Sequence, residues 1–456
     1  MGVCKAGNKR DYKKRILSVV SSITSVMIVT VMLVIGSISA QAATAVEQNG
    51  ALKVEGTKLV SQKTGKAVQL RGVSTHGINW DVGYPYVSKK AFKTLRDSYS
   101  VNAVRLAMYT TEYYGYCDKG DAGDSKKTVQ TTLKQRIDTG VQAATDLGMY
   151  VIIDWHVLND KTPTKYQKEA KAFFKEMSQK YADYDNVIYE ICNEPNGGTS
   201  WSDIKKYAKE IIPAIRANDP DAVIIVGTPN WSQDVDEASK SPLSYDNIMY
   251  TLHFYSATHK SSYRDKLKTA LNNGLPVMVT EYGVSEASGD GSINTSEAKK
   301  WLDLLDKNQI SYFAWSLSNK NESASLLKAG TSKKSGWKTS DLSKAGKWVF
   351  GQYNTRSGKV DYKPGKVKTP TVKNLKGKKL KVSYKKVSKA DGYQISYATN
   401  KKFKNAKTKK TKKTSYTLKK LKKGKTYYVR VRAYRTVNGK TYYGSYSSVR
   451  KIKIKK

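Results

Sequence analysis

The sequence predicts an α/β protein in which a (β/α)8 barrel, the TIM barrel fold, precedes a small all-β sandwich. Three observations support this prediction. The 456 residues are too many for one small domain. Between about residues 50 and 355, short apolar runs alternate with amphipathic helical patterns. After residue 370 the pattern changes to short strands of alternating polarity, with turns between them.

Eight near-continuous apolar runs are the predicted barrel strands, since parallel strands are buried on both faces. They are residues 68–77, 101–109, 150–156, 187–195, 222–228, 247–255, 276–283 and 311–318. The main helical patterns between them are residues 88–99, 131–148, 165–181, 203–218, 264–274 and 296–308. A closed barrel is favoured over a doubly wound open sheet because no G-x-G-x-x-G phosphate loop follows any strand.

Residues 1–42 predict a targeting segment. A basic stretch precedes a mostly apolar run at 16–38, and Ala40 and Ala42 form an A-x-A cleavage signal. The apolar run is long for a signal peptide, so an uncleaved membrane anchor is the alternative. In both cases we expect the rest of the chain to be exported, either secreted or associated with the cell surface.

Residues 356–370 predict a linker, and residues 371–456 predict a β-sandwich. The stretch from ADGYQISYAT to TYYVRVRAYR resembles fibronectin type III modules. About thirty lysines and arginines accompany one acidic residue, Asp391, in this part of the chain. The charge is compatible with binding to anionic cell-wall polymers, with a soluble spacer, or with a tyrosine-based carbohydrate-binding face. Export and the lack of a recognised motif argue against nucleic acid as a partner.

The three cysteines do not predict a disulfide framework. Cys4 precedes the apolar run, Cys117 lies in a polar loop, and Cys192 lies near the end of a predicted interior strand. A Cys117–Cys192 disulfide and two free thiols are both compatible with the sequence.

Polar side chains close seven of the eight predicted strands, at the end where a barrel of this kind carries its active site. Packing alone explains this poorly, because each buried polar group costs free energy unless it is paired. In strand order these residues are His76, Arg105, Asp154, His156, Asn193, Glu194, His253, Tyr255, Glu281 and Trp315.

Glu194 and Glu281 come from the fourth and seventh strands, so their carboxyl groups can face each other across the barrel mouth. Two carboxylates in this arrangement suit the cleavage of a glycosidic bond. A separation of about 5 Å leads to retention of configuration, and one of roughly 6.5–9.5 Å leaves room for a water and leads to inversion. The residues alone leave both outcomes open.

The motifs RGVSTHG, VRLAMY, VIIDWH, IYEICNEPNG, WSQDV, LHFY, VTEYG and AWSLSNK occur in this order. Together they resemble glycoside hydrolase family 5, in particular its bacterial endo-1,4-β-glucanases, over about residues 50–352. The resemblance implies hydrolysis of a β-1,4-glucan with retention, with Glu194 as acid/base and Glu281 as nucleophile. We expect neither a cofactor nor a metal.

The resemblance also implies roles for residues around the two glutamates. Supporting roles fall to Arg105, His156, Asn193, His253 and Tyr255. Substrate contacts fall to His76, Trp80, Tyr109, Trp231, Trp315, Lys320 and Glu322. Arg105 and Tyr255 would stabilise the ionised form of Glu281. Two features depart from the family: Tyr282 replaces the usual tryptophan, and the loop at 110–124 is longer and more polar.

Three other interpretations remain open. A metal-dependent hydrolase could use His76, His156, His253 and Asp154, but the first strand lacks an H-x-H pair and no H-E-x-x-H occurs. A non-catalytic carbohydrate-binding barrel is disfavoured because both glutamates and their orienting groups are present. Within the enzyme interpretation, mannan, xyloglucan or mixed-linkage β-glucan could replace cellulose as the substrate.

Glu190 lies four residues before Glu194, and we predict a structural role for it. If the strand continued to Glu194, the two residues would face the same way, about 13 Å apart. Glu190 would then lie deeper in the barrel, where we expect it to pair with a base from a neighbouring strand.

Overall fold

The structure, a computed structural model, describes residues 43–120, 124–358, 364–388, 390–437 and 440–455. The predicted targeting segment at 1–42 lies outside the described residues, as do residues 359–363 of the predicted linker. Within the described part of the chain, no helix combines the length and the apolar character that a membrane span requires.

A short helix and a hairpin precede the barrel: α1 (Ala45–Asn49), β1 (Leu52–Glu55) and β2 (Lys58–Ser61). The sequence did not predict this hairpin, because two four-residue strands leave little periodic signal. Leu52 and Leu59 pack in one apolar cluster with side chains that include Ile152 and Phe313 of the barrel strands. This cluster fills the interior with apolar side chains, in contrast to the polar strand ends.

Eight parallel strands form the closed barrel, which confirms the predicted fold. They are β3 (Arg71–Thr75), β4 (Ala103–Tyr109), β5 (Tyr150–His156), β6 (Val187–Glu190), β7 (Ile224–Val226), β8 (Ile248–Tyr255), β9 (Val277–Gly283) and β10 (Tyr312–Leu317). Their order around the ring is β10-β3-β4-β5-β6-β7-β8-β9. Each observed strand lies within the run predicted for it.

Strand β6 differs most from its prediction, because it ends at Glu190 and not at residue 195. The backbone beyond it leaves the regular ladder, but the amide of Asn193 donates to the carbonyl of Trp155 at 3.2 Å. The amide of Glu194 donates to the carbonyl of Val157 at 3.1 Å. The argument from strand parity therefore fails beyond Glu190, and an irregular, hydrogen-bonded segment positions Glu194.

The helices around the barrel are α2 (Lys89–Tyr99), α3 (Lys126–Asp146), α4 (Gln167–Tyr181), α5 (Trp201–Arg216), α6 (Val235–Ser239), α7 (Ser261–Asn272), α8 (Thr295–Lys307) and α9 (Lys344–Arg356). Short 3-10 helices lie at Tyr84–Tyr86 and Pro163–Tyr166. Serine side chains accept backbone hydrogen bonds at the starts of four of these helices, at Ser88, Ser125, Ser200 and Ser343. Such caps satisfy amides that have no partner within the helix.

The C-terminal part is all β, as predicted. Its strands are β11 (Thr371–Leu375), β12 (Lys379–Ser383), β13 (Gly392–Ala398), β14 (Lys407–Thr411), β15 (Ser415–Leu418), β16 (Thr426–Val437), β17 (Lys440–Tyr443) and β18 (Arg450–Lys453). One sheet has the order β11-β12-β15, and the other has the order β14-β13-β16-β17, with β18 paired to β16. Buried side chains that include Val382, Ile395 and Val431 form its separate core.

Candidate active site

A cavity of about 710 Å³ opens where the barrel strands end. Twelve of the fourteen predicted site residues line it: His76, Trp80, Tyr109, His156, Glu194, Trp231, His253, Tyr255, Glu281, Trp315, Lys320 and Glu322. The other two, Arg105 and Asn193, are fully buried. Arg105 donates hydrogen bonds to both Glu281 and Asn193, so the predicted set forms one connected group.

Glu194 and Glu281 face each other in this cavity. Each offers a carboxyl oxygen, and these two atoms lie within 4.8 Å of each other. This separation fits the distance of about 5 Å at which one carboxylate attacks the sugar directly. It is shorter than the roughly 6.5–9.5 Å that an intervening water requires.

Glu281 is held by a hydroxyl and a cation. The Tyr255 hydroxyl donates to Oε1 at 2.6 Å, and Arg105 Nη1 donates to Oε2 at 3.2 Å. Burial and the neighbouring Glu194 raise the pKa of Glu281 to about 7, while His253, Arg105 and the Tyr255 hydrogen bond oppose the rise. Both oxygens therefore accept hydrogen bonds that favour the ionised form.

Glu194 has a different environment. Burial raises its pKa to about 8; Arg105 opposes this rise, and the nearby Asp154 and Glu190 add to it. Its Oε1 lies 2.9 Å from Nδ1 of His253. Tyr255 and Arg105 both donate to Glu281, whereas Arg105 makes no hydrogen bond to Glu194, so the ionised form is favoured more strongly at Glu281 than at Glu194.

Arg105 lies at the centre of the buried floor of the site, the layer of hydrogen-bonded side chains below the cavity that includes Glu190 and Asn193. Its Nε and Nη2 donate to the two carboxyl oxygens of Glu190 at 2.7 and 3.2 Å. Glu190 is thus paired with a base, as predicted, but β4 and β6 are not adjacent, because β5 lies between them. The expectation of a partner on a neighbouring strand is wrong, since each interior layer of a barrel is built from alternate strands.

Asn193 and His156 are fixed by the same floor. Asn193 Oδ1 accepts from Arg105 Nη2 at 2.6 Å, and its Nδ2 donates to the carbonyl of Val157 at 3.0 Å. His156 Nδ1 lies 2.6 Å from Oδ2 of Asp154. Burial holds the pKa of His156 well below its usual value, so the ring is neutral and donates this hydrogen bond through Nδ1.

One wall of the cavity is aromatic. The ring centroids of Trp80 and Tyr109 are 4.6 Å apart, and those of His76 and Trp315 are 5.3 Å apart. On the same side, Lys320 Nζ lies 2.6 Å from Oε2 of Glu322. Rings of this kind can cover the apolar C–H faces of a sugar, while the ion pair can meet its hydroxyl groups.

Trp231 lies on a turn, Pro229–Ser232, and 44% of its surface is exposed. Asn230, Trp231 and Ser232 have φ angles of 58°, 57° and 54°, which are unfavourable for residues other than glycine. The Trp231 amide donates to the carbonyl of Pro195 at 2.9 Å, and Ser232 Oγ donates to the carbonyl of Asn193 at 2.5 Å. These bonds tie the turn to the segment that carries Glu194.

Several lining residues were not predicted. Most come from loops and turns, and Tyr263 comes from the first turn of α7; the nine residues are Glu112, Leu158, Asn230, Gln233, His259, Tyr263, Ala287, Ser288 and Gly289. Residues in loops show no helical or strand periodicity, so their positions in the cavity could not be predicted from the sequence pattern. Two signals were available: Glu112 lies in the loop that departs from the family, and His259 is one of only four histidines in the chain.

The two cysteines within the described residues, Cys117 and Cys192, are buried and free. Tyr282, the other departure from the family, is fully buried and stacks on Phe254 with ring centroids 5.3 Å apart. It is therefore a core residue behind the site.

Glu194, His253 and Glu281 each offer one atom of a type that can bind a metal ion, all within 4.8 Å of one another. Both oxygens of Glu281 already accept hydrogen bonds, from Tyr255 and Arg105. Both nitrogens of His253 are hydrogen-bonded as well. The Glu281 oxygens and the His253 nitrogens are therefore already paired with groups of the protein. The metal-dependent interpretation relied on His76, His156, His253 and Asp154, and within the described residues these four do not come together as a group that could hold a metal ion.

Comparison with known proteins agrees with this geometry. Residues 61–321, more than half of the chain, match the family described as cellulase (glycosyl hydrolase family 5), and residues 365–450 match the fibronectin type III domain. Endoglucanase A of Butyrivibrio fibrisolvens is 50% identical over 305 residues, which cover 66% of this chain and 68% of that protein. An endoglucanase of Clostridium saccharobutylicum is 47% identical over 339 residues, which cover 74% and 72%.

A solved structure gives the same result. The catalytic domain of a Thermobifida fusca endoglucanase in complex with cellotetraose aligns with a TM-score of 0.63 at 36% identity, over 68% of this chain and 100% of that one. Sequence, fold and site thus agree. The chain belongs to glycosyl hydrolase family 5, and it is a glycoside hydrolase whose barrel is followed by a fibronectin type III domain.

Proposed function

We propose that the protein is a secreted, retaining endo-β-1,4-glucanase that hydrolyses internal bonds of cellulose or a related β-glucan by double displacement. Glu281 is the nucleophile, and Glu194 is the acid/base. The observation that carries this proposal is the separation of the two carboxyl oxygens, which lie within 4.8 Å of each other. At this separation there is little room for a water between the carboxylate and the sugar.

The environments of the two carboxyls support the assignment of roles. In the first step Glu281 attacks the anomeric carbon as a carboxylate, and Tyr255 and Arg105 stabilise that ionised form. Glu194 keeps its proton to higher pH and transfers it to the departing glycosidic oxygen. The bond between the anomeric carbon and that oxygen breaks, and a glycosyl ester forms on Glu281.

The second step reverses the role of Glu194. Once Glu281 is an ester, its negative charge is gone, so the ionised form of Glu194 becomes more favourable. Glu194 then takes a proton from water, whose oxygen attacks the anomeric carbon and releases Glu281 as a carboxylate. One pair of carboxyls thus serves both steps, and the two inversions together give retention.

Azide rescue of alanine variants tests both roles in one experiment. A dinitrophenyl β-cellobioside needs no protonation of its leaving group, so Glu194→Ala should still form the ester, and azide should attack that ester to give the β-azide. Glu281→Ala cannot form the ester, so azide should attack directly and give the α-azide. NMR of the two products reads the result, and exchanged or identical anomers would contradict the assignment.

The substrate class is supported by the aromatic wall and by the relatives. The Thermobifida fusca enzyme was solved with cellotetraose, a β-1,4-linked glucan fragment. Trp80, Trp231 and Trp315 supply broad apolar faces to the same cavity. Initial rates on carboxymethylcellulose, mixed-linkage glucan, xyloglucan and mannan should be highest on a β-1,4-glucan. A faster rate on mannan would move the substrate to the alternative class.

Binding of the basic C-terminal module to anionic cell-wall polymers is the second part of the proposal. All the lysines of β14 lie at exposed positions, and Arg430 lies 4.0 Å from the ring centroids of both Phe403 and Tyr446. Deletion of residues 363–456 should leave turnover of soluble substrate largely unchanged and weaken retention on cell walls at low salt. High salt should weaken the intact chain in the same way, because the attraction is screened. Unchanged retention after the deletion would contradict this role.

A further inference from the structure

Two fully buried side chains in the floor, Thr280 and Glu190, have no part in the two steps above. They connect to the acid/base through a continuous chain of hydrogen bonds. Glu194 Oε1 lies 2.9 Å from His253 Nδ1, and His253 Nε2 lies 2.9 Å from Thr280 Oγ1. Thr280 Oγ1 donates to Glu190 Oε1 at 2.6 Å. The position of each proton in this chain follows from the chemistry of its two ends.

The first end is Glu190, which can only accept. Its two oxygens receive the forked donors of Arg105, an arrangement that suits a carboxylate. A threonine hydroxyl has a single proton, and Thr280 gives it to Glu190. Thr251 Oγ1 lies 2.6 Å from Thr280 Oγ1 and must donate to it. Thr280 therefore has only a lone pair to offer to His253, and Nε2 of His253 must carry a proton.

The second end is Glu194. Burial lowers the pKa of His253 to about 4, so the ring carries one proton in neutral solution. Of the charged groups that face it, Glu281 and Glu190 favour the imidazolium and Arg105 opposes it. Because that one proton is on Nε2, Nδ1 is a bare nitrogen. The contact with Glu194 is a hydrogen bond only when Glu194 itself donates the proton.

We propose that Thr280 is a positioning residue for the acid/base: anchored by Glu190, it selects the Nε2–H form of His253 and leaves Nδ1 to hold the proton of Glu194. The other tautomer would donate to Glu194 and stabilise its carboxylate, which is the wrong state for the first step. In the second step the bare nitrogen faces an ionised Glu194, and this repulsion makes Glu194 a better base. The inference rests on the proposed role of Glu194.

Thr280→Val tests this, because valine keeps the shape and loses the hydroxyl. His253 can then adopt the Nδ1–H form, so the pKa of Glu194 should fall and the basic limb of the kcat/KM profile should move to lower pH. Activity on phenyl β-cellobioside, which needs a proton donor, should fall about tenfold more than activity on the dinitrophenyl compound. Thr280→Ser should restore both readouts. An equal loss on the two substrates with an unmoved basic limb would overturn the proposal.

Two controls separate the possible failures. Thr251→Val removes a buried hydroxyl beside Thr280 that does not contact His253, so it should show no dependence on the leaving group. Glu194→Gln should show the strongest dependence of activity on the leaving group. If Glu194→Gln shows no such dependence, the proposed function is wrong. If Glu194→Gln shows it and Thr280→Val does not, only the proposed role of Thr280 is wrong.

A direct measurement does not depend on how well a variant folds. The unaltered chain has four histidines, so nitrogen-15 NMR of labelled imidazoles can resolve His253, assigned by comparison with His253→Gln. A protonated Nε2 and a bare Nδ1 are expected. A bare Nε2 would refute the proposal.

Discussion

Glu190→Gln should reduce stability before it reduces catalysis. The carboxylate makes two hydrogen bonds with Arg105, at 2.7 and 3.2 Å, and accepts a third from Thr280 at 2.6 Å, all in a fully buried layer. Removing one partner of such a pair costs about 3–5 kcal/mol. Arg105 keeps Asp154 at 3.0 Å and Glu281 at 3.2 Å, so it is not left unpaired. We therefore expect a loss of about 3 kcal/mol, at the lower end of that range.

Urea denaturation followed by tryptophan fluorescence measures this loss selectively. All eight tryptophans lie between Trp80 and Trp348, so the signal comes from the barrel and not from the C-terminal module. Glu194→Gln is the matched control: Glu194 accepts no hydrogen bond from Arg105, so the same substitution should cost little stability and most of the activity. A stable Glu190→Gln variant with lost kcat, or an unstable Glu194→Gln variant, would refute this division of roles.

Three further predictions follow from the site. The kcat/KM profile should rise as Glu281 ionises near pH 7 and fall as Glu194 ionises near pH 8. Tyr255→Phe removes a hydrogen bond that lowers the pKa of Glu281, so the acid limb of the profile should move to higher pH. An acid limb that stays in place would contradict a role for that hydrogen bond. Activity should survive dialysis against EDTA, because the Glu281 oxygens and His253 nitrogens that could bind a metal are hydrogen-bonded within the protein. Loss of activity that is recovered on adding a divalent ion would favour the metal-dependent alternative. Trp231→Ala should raise KM on polymer by about tenfold without changing the melting temperature, because the side chain is 44% exposed; an unchanged KM would remove Trp231 from the substrate site.

The fold and most of the cavity were accessible from sequence because both rest on strong periodic signals. Apolar runs of seven to ten residues located the barrel strands, and a polar residue that closes such a run has few explanations other than the site. His76, Glu281 and Trp315 were found in this way. The register of each strand then carries the side chain to the cavity without further information.

The remaining features depend on contacts between distant segments. The end of β6 at Glu190 follows from hydrogen bonds of Asn193 and Glu194 to the end of β5, which no local pattern records. The partner of Glu190 was expected on an adjacent strand, but the layered interior brings Arg105 from two strands away. Glu112 and His259 enter the cavity from loops, whose paths the sequence does not determine by periodicity.

The anomeric configuration of the first product tests the central claim most directly. Proton NMR of a cellooligosaccharide digest, recorded before mutarotation equilibrates the new reducing end, distinguishes direct attack by Glu281 from attack by a water. Because the Glu194 and Glu281 oxygens lie within 4.8 Å of each other, we predict that the β-anomer accumulates first. Initial accumulation of the α-anomer would mean inversion and would contradict the double displacement.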